Sequence, residues 1–371
     1  MKSPRIFSSL LLTAALTALV GSTGTAFAEQ LIFQRGITLY AAEMDGTEAR
    51  PLFDLASASA VPTESAETTV WTAAPDGRRV IWMHRGDLTP TADPNAVSLR
   101  DRPAQVFISD QTGRHQKLLF STVALHDRQN KKVTSIGINL PGTPEEISVR
   151  KFESWEPVSL AWSADSRTLY LSCVCLLPTL SLKTTVAVDA ATGAALVDAD
   201  GRWKTVAPMT DVDASGVLIV GTGTAQNPKG TANAPATRYA PLYLINLAAG
   251  TRAPLYDAAA QDPAKLPDYA FTKTPALSGN DNRYIAFASE NKGLWILDRT
   301  TQEYRPLLDR NVTHPRWAAE ATSLLFLEAR PSQSGKSRYD LYAADFVPST
   351  GQLGLPHPLL QGVDWFAVVP D

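Results

Sequence analysis

VDWFAVVPD, residues 363–371, ends the chain and decides its fold. It reads as one β-strand running into a Pro-Asp turn, with no strand after it to pair with. LIFQRG (31–36) has the complementary gap: it reads as the second strand of a unit whose first strand is missing. Trp365 aligns with Trp71, Trp162 and Trp317, and Pro370-Asp371 aligns with the Pro75-Asp76 turn. The tail is therefore expected to supply the strand that the head lacks.

Between these ends the chain repeats itself. One phrase is a hydrophobic strand, a Gly- or Thr-containing turn and a short strand with Pro-Leu: ITLYAAEMDGTEARPLFD (37–54), PLYLINLAAGTRAPLYD (241–257) and GLWILDRTTQEYRPLLD (293–309). The same interval separates Leu39 from Pro51, Leu242 from Pro254 and Leu294 from Pro306. Looser copies are QVFISDQTGRHQKLLF (105–120), TTVAVDAATGAALVD (184–198) and DLYAADFVPSTGQLGLPHPLL (340–360). A second phrase precedes every copy but the first: WTAAPDGRRVIWM (71–83), WSADSRTLYLS (162–172), VDASGVLIVG (212–221), LSGNDNRYIAFAS (277–289) and WAAEATSLLFLE (317–328). Turn residues divide each of these into two strands. Each unit thus has four strands, a to d. Four antiparallel strands repeated radially make a propeller blade. No sustained helical periodicity interrupts them. The sequence predicts an all-β, six-bladed β-propeller closed by pairing of its N- and C-terminal strands. Seven blades result if residues 121–157 form a blade; the alternative is a hairpin insert, because strand-like runs at 133–139 and 147–153 flank Pro141-Gly142.

WTAAPDGRRVIWM and LAWSADSRTLYLS (160–172) resemble the W-S-P-D-G-x-x-I-x-F signature of TolB-type propeller repeats. TLYAAEMDG and PLYLINLAAG resemble that family's I-Y-x-x-D-x-x-x-G strand and turn. The resemblance covers residues 31–371 and implies the propeller fold. Val212 and Leu277 depart from the pattern's Trp. TolB carries an α/β domain ahead of its propeller, and only two residues lie here between the expected cleavage site and the first strand. The resemblance therefore implies a TolB-like propeller without that domain.

Residues 1–28 read as a signal peptide: Lys2 and Arg5, an apolar run from Leu10 to Val20, then Ala26-Phe27-Ala28. That run is too short to cross a bilayer, and no lipidated cysteine follows it. A single domain, 29–371, is expected in the periplasm or outside the cell. The whole chain has a formal net charge of −3, and loss of Lys2 and Arg5 makes it more acidic. This disfavours nucleic acid and anionic membranes as partners. The two cysteines, Cys173 and Cys175, fall on one face of a strand. Buried core residues, an oxidised pair and two soft metal ligands are the open readings.

In such a blade the a–b and c–d turns share one face of the disc, and the b–c and d–a connections share the other. The long insertions map to the second face: 85–103, 222–239 and 330–338 between b and c, and 56–69, 121–157 and 258–273 between d and a. Variable loops on one face of a repeat ring often form a binding surface. Trp155, Tyr269 and Phe271 lie at its rim as contact anchors. Glu156, Asp211, Lys273, His314 and Asp364 lie just ahead of the a strands, at the channel mouth. Asp211-Val-Asp213-Ala-Ser215-Gly216 resembles the start of a calcium loop, but Thr222 stands at its twelfth position, and the segment also reads as an ordinary a–b turn. The mature chain has no H-E-x-x-H, P-loop or G-x-S-x-G. No catalytic residue, metal ligand or cofactor is assigned. The expectation is a monomeric exported scaffold that binds a protein or peptide partner. The alternative is a small carbohydrate- or peptide-active enzyme with its site at the channel mouth, similar to oligogalacturonate lyase. That enzyme would need His314 in a cluster with other histidines and a metal.

Overall fold

The middle strands of each repeat are apolar on both faces, and such a strand is stable only between two other sheets. In the computed structural model Tyr284–Ser289 and Gly293–Asp298 are buried at every position. The structure describes residues 29–55, 70–84, 105–121, 136–139, 146–149, 154–176, 181–194, 196, 205–207, 209–215, 218–223, 242–246, 251–255, 272–278, 281–289, 293–318, 321–330 and 338–370. They form six small antiparallel sheets, the blades of a propeller.

In order a to d, blade 1 is Trp365–Pro370, Glu29–Arg35, Thr38–Glu43 and Arg50–Asp54. Blade 2 is Val70–Ala73, Arg79–His84, Gln105–Asp110 and Lys117–Ser121. Blade 3 is Ser154–Trp162, Thr168–Leu176, Ser181–Asp189 and Thr205–Ala207. Blade 4 is Met209–Ser215, Leu218–Gly223, Leu242–Asn246 and Thr251–Pro254. Blade 5 is Thr272–Leu277, Tyr284–Ser289, Gly293–Asp298 and Glu303–Leu308. Blade 6 is Val312–Trp317, Ser323–Arg330, Arg338–Val347 and His357–Gln361, with the short Gln352–Leu353 also on its third strand.

The ring closes as the sequence predicts. The head strand pairs antiparallel with the tail strand, Leu31 opposite Val368 and Gln34 opposite Trp365. Entry of the tail is fixed by two further bonds. The Asp364 N–H donates to the Gln34 carbonyl at 2.9 Å, and the Gly36 N–H donates to Asp364 Oδ2 at 2.7 Å. Gly36 has φ +60°, the left-handed conformation that this tight turn needs.

The tryptophan alignment is corrected. Trp71 stands opposite Trp82, and its place in blade 1 is taken by Phe366, opposite Phe33. Trp162 and Trp317 lie two residues further along, opposite Leu169 and Leu324, where blade 2 has Ala73 opposite Val80. A one-residue shift changes the face of a strand. Phe366 accordingly enters the apolar cluster between blades 6 and 1, with Leu31, Phe33, Leu325 and Leu327. Trp365 instead meets His314, ring centroids 3.8 Å apart.

The repeated aspartates hold the turns. Asp76, Asp165 and Asp281 each accept, on Oδ1, the N–H of the residue two ahead in an a–b turn. Asp110 and Asp189 do the same for the Thr112 and Ala191 N–H groups in c–d turns. These are Asx turns, which mimic a backbone turn and explain why Asp recurs there. Hydrogen bonds from Ser163 and the Arg167 N–H hold the Asp165 carboxyl below its usual range.

Ile136–Asn139 pairs with Glu146–Val149 in a two-stranded sheet of its own, so of the two readings of 121–157 the hairpin is the one observed. In blade 3 the c–d turn is short as expected, since the Asp189 N–H donates to the Ala194 carbonyl and the Leu196 N–H to the Ala187 carbonyl, both at 2.8 Å, while the outer strand of the sheet is Thr205–Ala207. Cys173 and Cys175 both lie on the second strand of blade 3. Their side chains, Tyr269, Phe271 and the proposed signal segment 1–28 lie outside the described residues.

Candidate functional site

Each inner strand leaves one edge unpaired toward the axis, so the channel is lined by six strand edges. The a strands of blades 3 to 6 also carry a register irregularity: between Pro157 and Ser159, Thr210 and Asp213, Lys273 and Ala276, and Thr313 and Arg316. A β-bulge bends and twists a strand and re-aims the side chains beyond it.

Beyond the bulges, one register position recurs in all six blades. Ala367, Thr72, Ala161, Asp213, Ala276 and Arg316 stand opposite Ile32, Ile81, Tyr170, Val220, Ala286 and Leu325. All six line a cavity of about 350 Å³ at the a–b end of the channel, together with Glu29, Trp162, Ser215 and Trp317. Four members of this ring are small. Blades 4 and 6 place an acid and a guanidinium there, on either side of blade 5.

The Ala276–Leu277 peptide sits between them. Asp213 Oδ2 accepts the Leu277 N–H at 2.7 Å, and Trp317 Nε1 donates to the Ala276 carbonyl at 3.1 Å. One inner-edge peptide of blade 5 is thus satisfied on both sides by its neighbours, which a buried backbone group requires. Burial pushes the Asp213 carboxyl above the usual carboxylate range, against the pull of Arg316 and of the Leu277 and Ala214 N–H groups. Arg316 Nη1 donates to the Pro315 carbonyl at 2.8 Å.

A pH dependence follows. A carboxyl raised in the fold disfavours ionisation there. Its contribution to stability is full below the unfolded value, near 3.9, and is lost as pH rises through the folded value. Asp213→Asn keeps an acceptor for the Leu277 N–H without the charge. It is expected to raise the melting temperature at pH 7 and to flatten the gain on acidification. Melting curves from pH 4 to 8 check this; a variant with the wild-type pH profile contradicts it.

The residues singled out in the sequence lie toward the other end of the inner strands. Glu156, Asp211, Lys273 and His314 are within those strands rather than ahead of them, because pairing continues past each bulge. Trp155 also lies in the strand, opposite Cys175. The side chains of Trp155, Glu156, Asp211 and Lys273 are outside the described residues. His314 has φ +53°, with Nδ1 3.0 Å from the Thr313 hydroxyl, and packs on Trp365. Asp364 secures the ring closure. The calcium-loop resemblance resolves into the fourth blade's inner strand, with Asp213 on the Leu277 N–H. Among the described residues no three His, Cys, Asp or Glu side chains group as metal ligands, and no helix is long and apolar enough to cross a membrane. The repeat alignment missed Asp213 and Arg316 as a pair, although both stand where other repeats have Ala or Thr.

The fold and its inner ring define the class: a six-bladed β-propeller closed by its terminal strands. No protein-family model matches the sequence, and no curated protein matches it. Among solved structures the chain is similar to the β-propeller domain of the trilobed protease from Pyrococcus furiosus, at 12% identity, covering 88% of this chain and 77% of that one, with a TM-score of 0.45. It is similar also to an oligogalacturonate lyase in complex with manganese (12% identity, 88% and 71% covered, TM-score 0.38) and to Kuenenia stuttgartiensis hydrazine synthase (13%, 83% and 71%, 0.40). Likeness at this level extends to the fold alone.

Proposed function

We propose that the protein is an exported, monomeric binding scaffold of TolB-like kind, which presents the long connections of one propeller face to a protein or peptide partner in the cell envelope. The supporting observation is the asymmetry of the ring. Connections 85–104, 224–241 and 331–337 leave from b–c ends, and 55–69, 122–153 and 255–271 leave from d–a ends. All six emerge on one face. Most turns of the opposite face are short and held by aspartates. A rigid frame with its variable segments on one side suits recognition that needs no covalent step. The leader-like residues 1–28 support export to the periplasm or beyond.

The test uses the mature protein as bait on native envelope extract. A partner captured by the wild type is identified and then measured against two variants. Shortening 224–241 is expected to weaken binding about ten-fold or more with the melting temperature nearly unchanged. Replacing the a–b turn residues Ala164 and Arg167, on the other face, is expected to leave binding intact. Collapse of stability on shortening, or binding lost only with the turn variant, contradicts the proposal.

A further inference from the structure

The cavity at the short-turn end of the channel has a charge arrangement that the scaffold reading does not use. Asp213 and Arg316 occupy equivalent ring positions in blades 4 and 6, and act on one another across Ala276 of blade 5. Arg316 offers five N–H donors, and its one described bond is to its own neighbour's carbonyl. The rest of the ring is alanine and threonine, which leaves space. Leu160, Trp162, Leu277 and Trp317 supply apolar wall. At about 350 Å³ the cavity falls within the range of small-molecule sites.

We propose that this cavity binds a small zwitterion, a free α-amino acid, with its ammonium toward Asp213 and its carboxylate toward Arg316. Two opposite charges in an apolar-walled ring make a fixed local dipole. A singly charged ligand would satisfy one of them and leave the other desolvated without compensation, which is costly. A zwitterion answers both and adds no net charge to the site. The guanidinium fork matches a carboxylate in shape as well as in charge. Asp213 keeps its structural bond to the Leu277 N–H while its charge faces a cation. At about 350 Å³ the cavity has room for a free amino acid, and glycine, L-alanine and L-serine, which carry both charges with the least side chain, are the ligands that test the charge arrangement itself. The site lies on the face opposite the long connections, so its failure and the failure of the scaffold reading are separate results.

Isothermal titration calorimetry of the full mature chain with glycine, L-alanine and L-serine tests the proposal. N-acetyl-L-alanine and L-alaninamide, each lacking one of the two charges, serve as analogues. At least one amino acid is expected to bind, and its singly charged analogues about ten-fold or more weaker. Arg316→Gln is expected to lose the amino acid by a similar factor while keeping its far-UV spectrum. No binding by any of the three at roughly 10 mM, where even a millimolar site registers, overturns the proposal. So do analogues that bind as well as the amino acid. If Arg316→Gln does not fold, the analogue comparison on the wild type decides alone.

Discussion

Removal of residues 363–371 is expected to leave a chain that does not persist as a folded monomer. The deletion takes the whole inner strand of blade 1, six residues paired in register with the head. It removes Val363, Phe366 and Val369, each at most 1% exposed, from the packing on either side of that blade. Truncation of one buried phenylalanine costs about 3–5 kcal/mol, and a domain's whole stability is about 5–15 kcal/mol. Glu29–Arg35 would also become a bare inner edge, open to pairing between molecules. Light scattering coupled to size exclusion, with thermal melting, reads the outcome. Aggregation or loss of the cooperative transition is predicted; a monomer with unaltered melting contradicts it.

The second large effect belongs to Trp71. Its side chain is 1% exposed, and its Nε1 donates to Gln34 Oε1 at 2.8 Å, which ties blade 2 to blade 1. Gln34, itself 4% exposed, spends its Nε2 on the Gly36 carbonyl. Trp71→Ala opens a cavity against Ile32, Leu39 and Trp82 and is expected to cost about 3–5 kcal/mol. Trp71→Phe keeps most of the packing but leaves the Gln34 oxygen buried without its donor, at about 1–3 kcal/mol. Equilibrium unfolding in urea separates the two. A Trp71→Phe variant within about 0.5 kcal/mol of wild type would show that the Gln34 bond is not needed.

These residues also show why some of the structure was readable in the sequence and some was not. Strand identity, four strands to a unit and closure by the tail were all written in local patterns: Asp at turns, apolar runs between them, and the phrase missing its mate at either end. Registry was not. Tryptophan looks like a fixed landmark, yet Trp71 and Trp162 sit two places apart on their strands, and Phe366 rather than Trp365 fills the Trp71 position. A period of two residues leaves such a slip invisible when several neighbours are apolar. The bulges hid the inner-strand starts in the same way. An extra residue near His314 or Asp211 makes a paired segment resemble a loop, and so those residues were expected ahead of their strands. The Asp213–Arg316 pair needed the register itself. The two are far apart in the chain and meet only because the same position of two blades faces one cavity.

Native-state hydrogen exchange tests the closed ring most directly. The account predicts that the paired amides of 365–369 and of 29–35 exchange only through global opening, with the same free energy as those of Ile81 and Trp82 in the core of blade 2. Tail amides that exchange at fraying rates while blade 2 stays protected would contradict it.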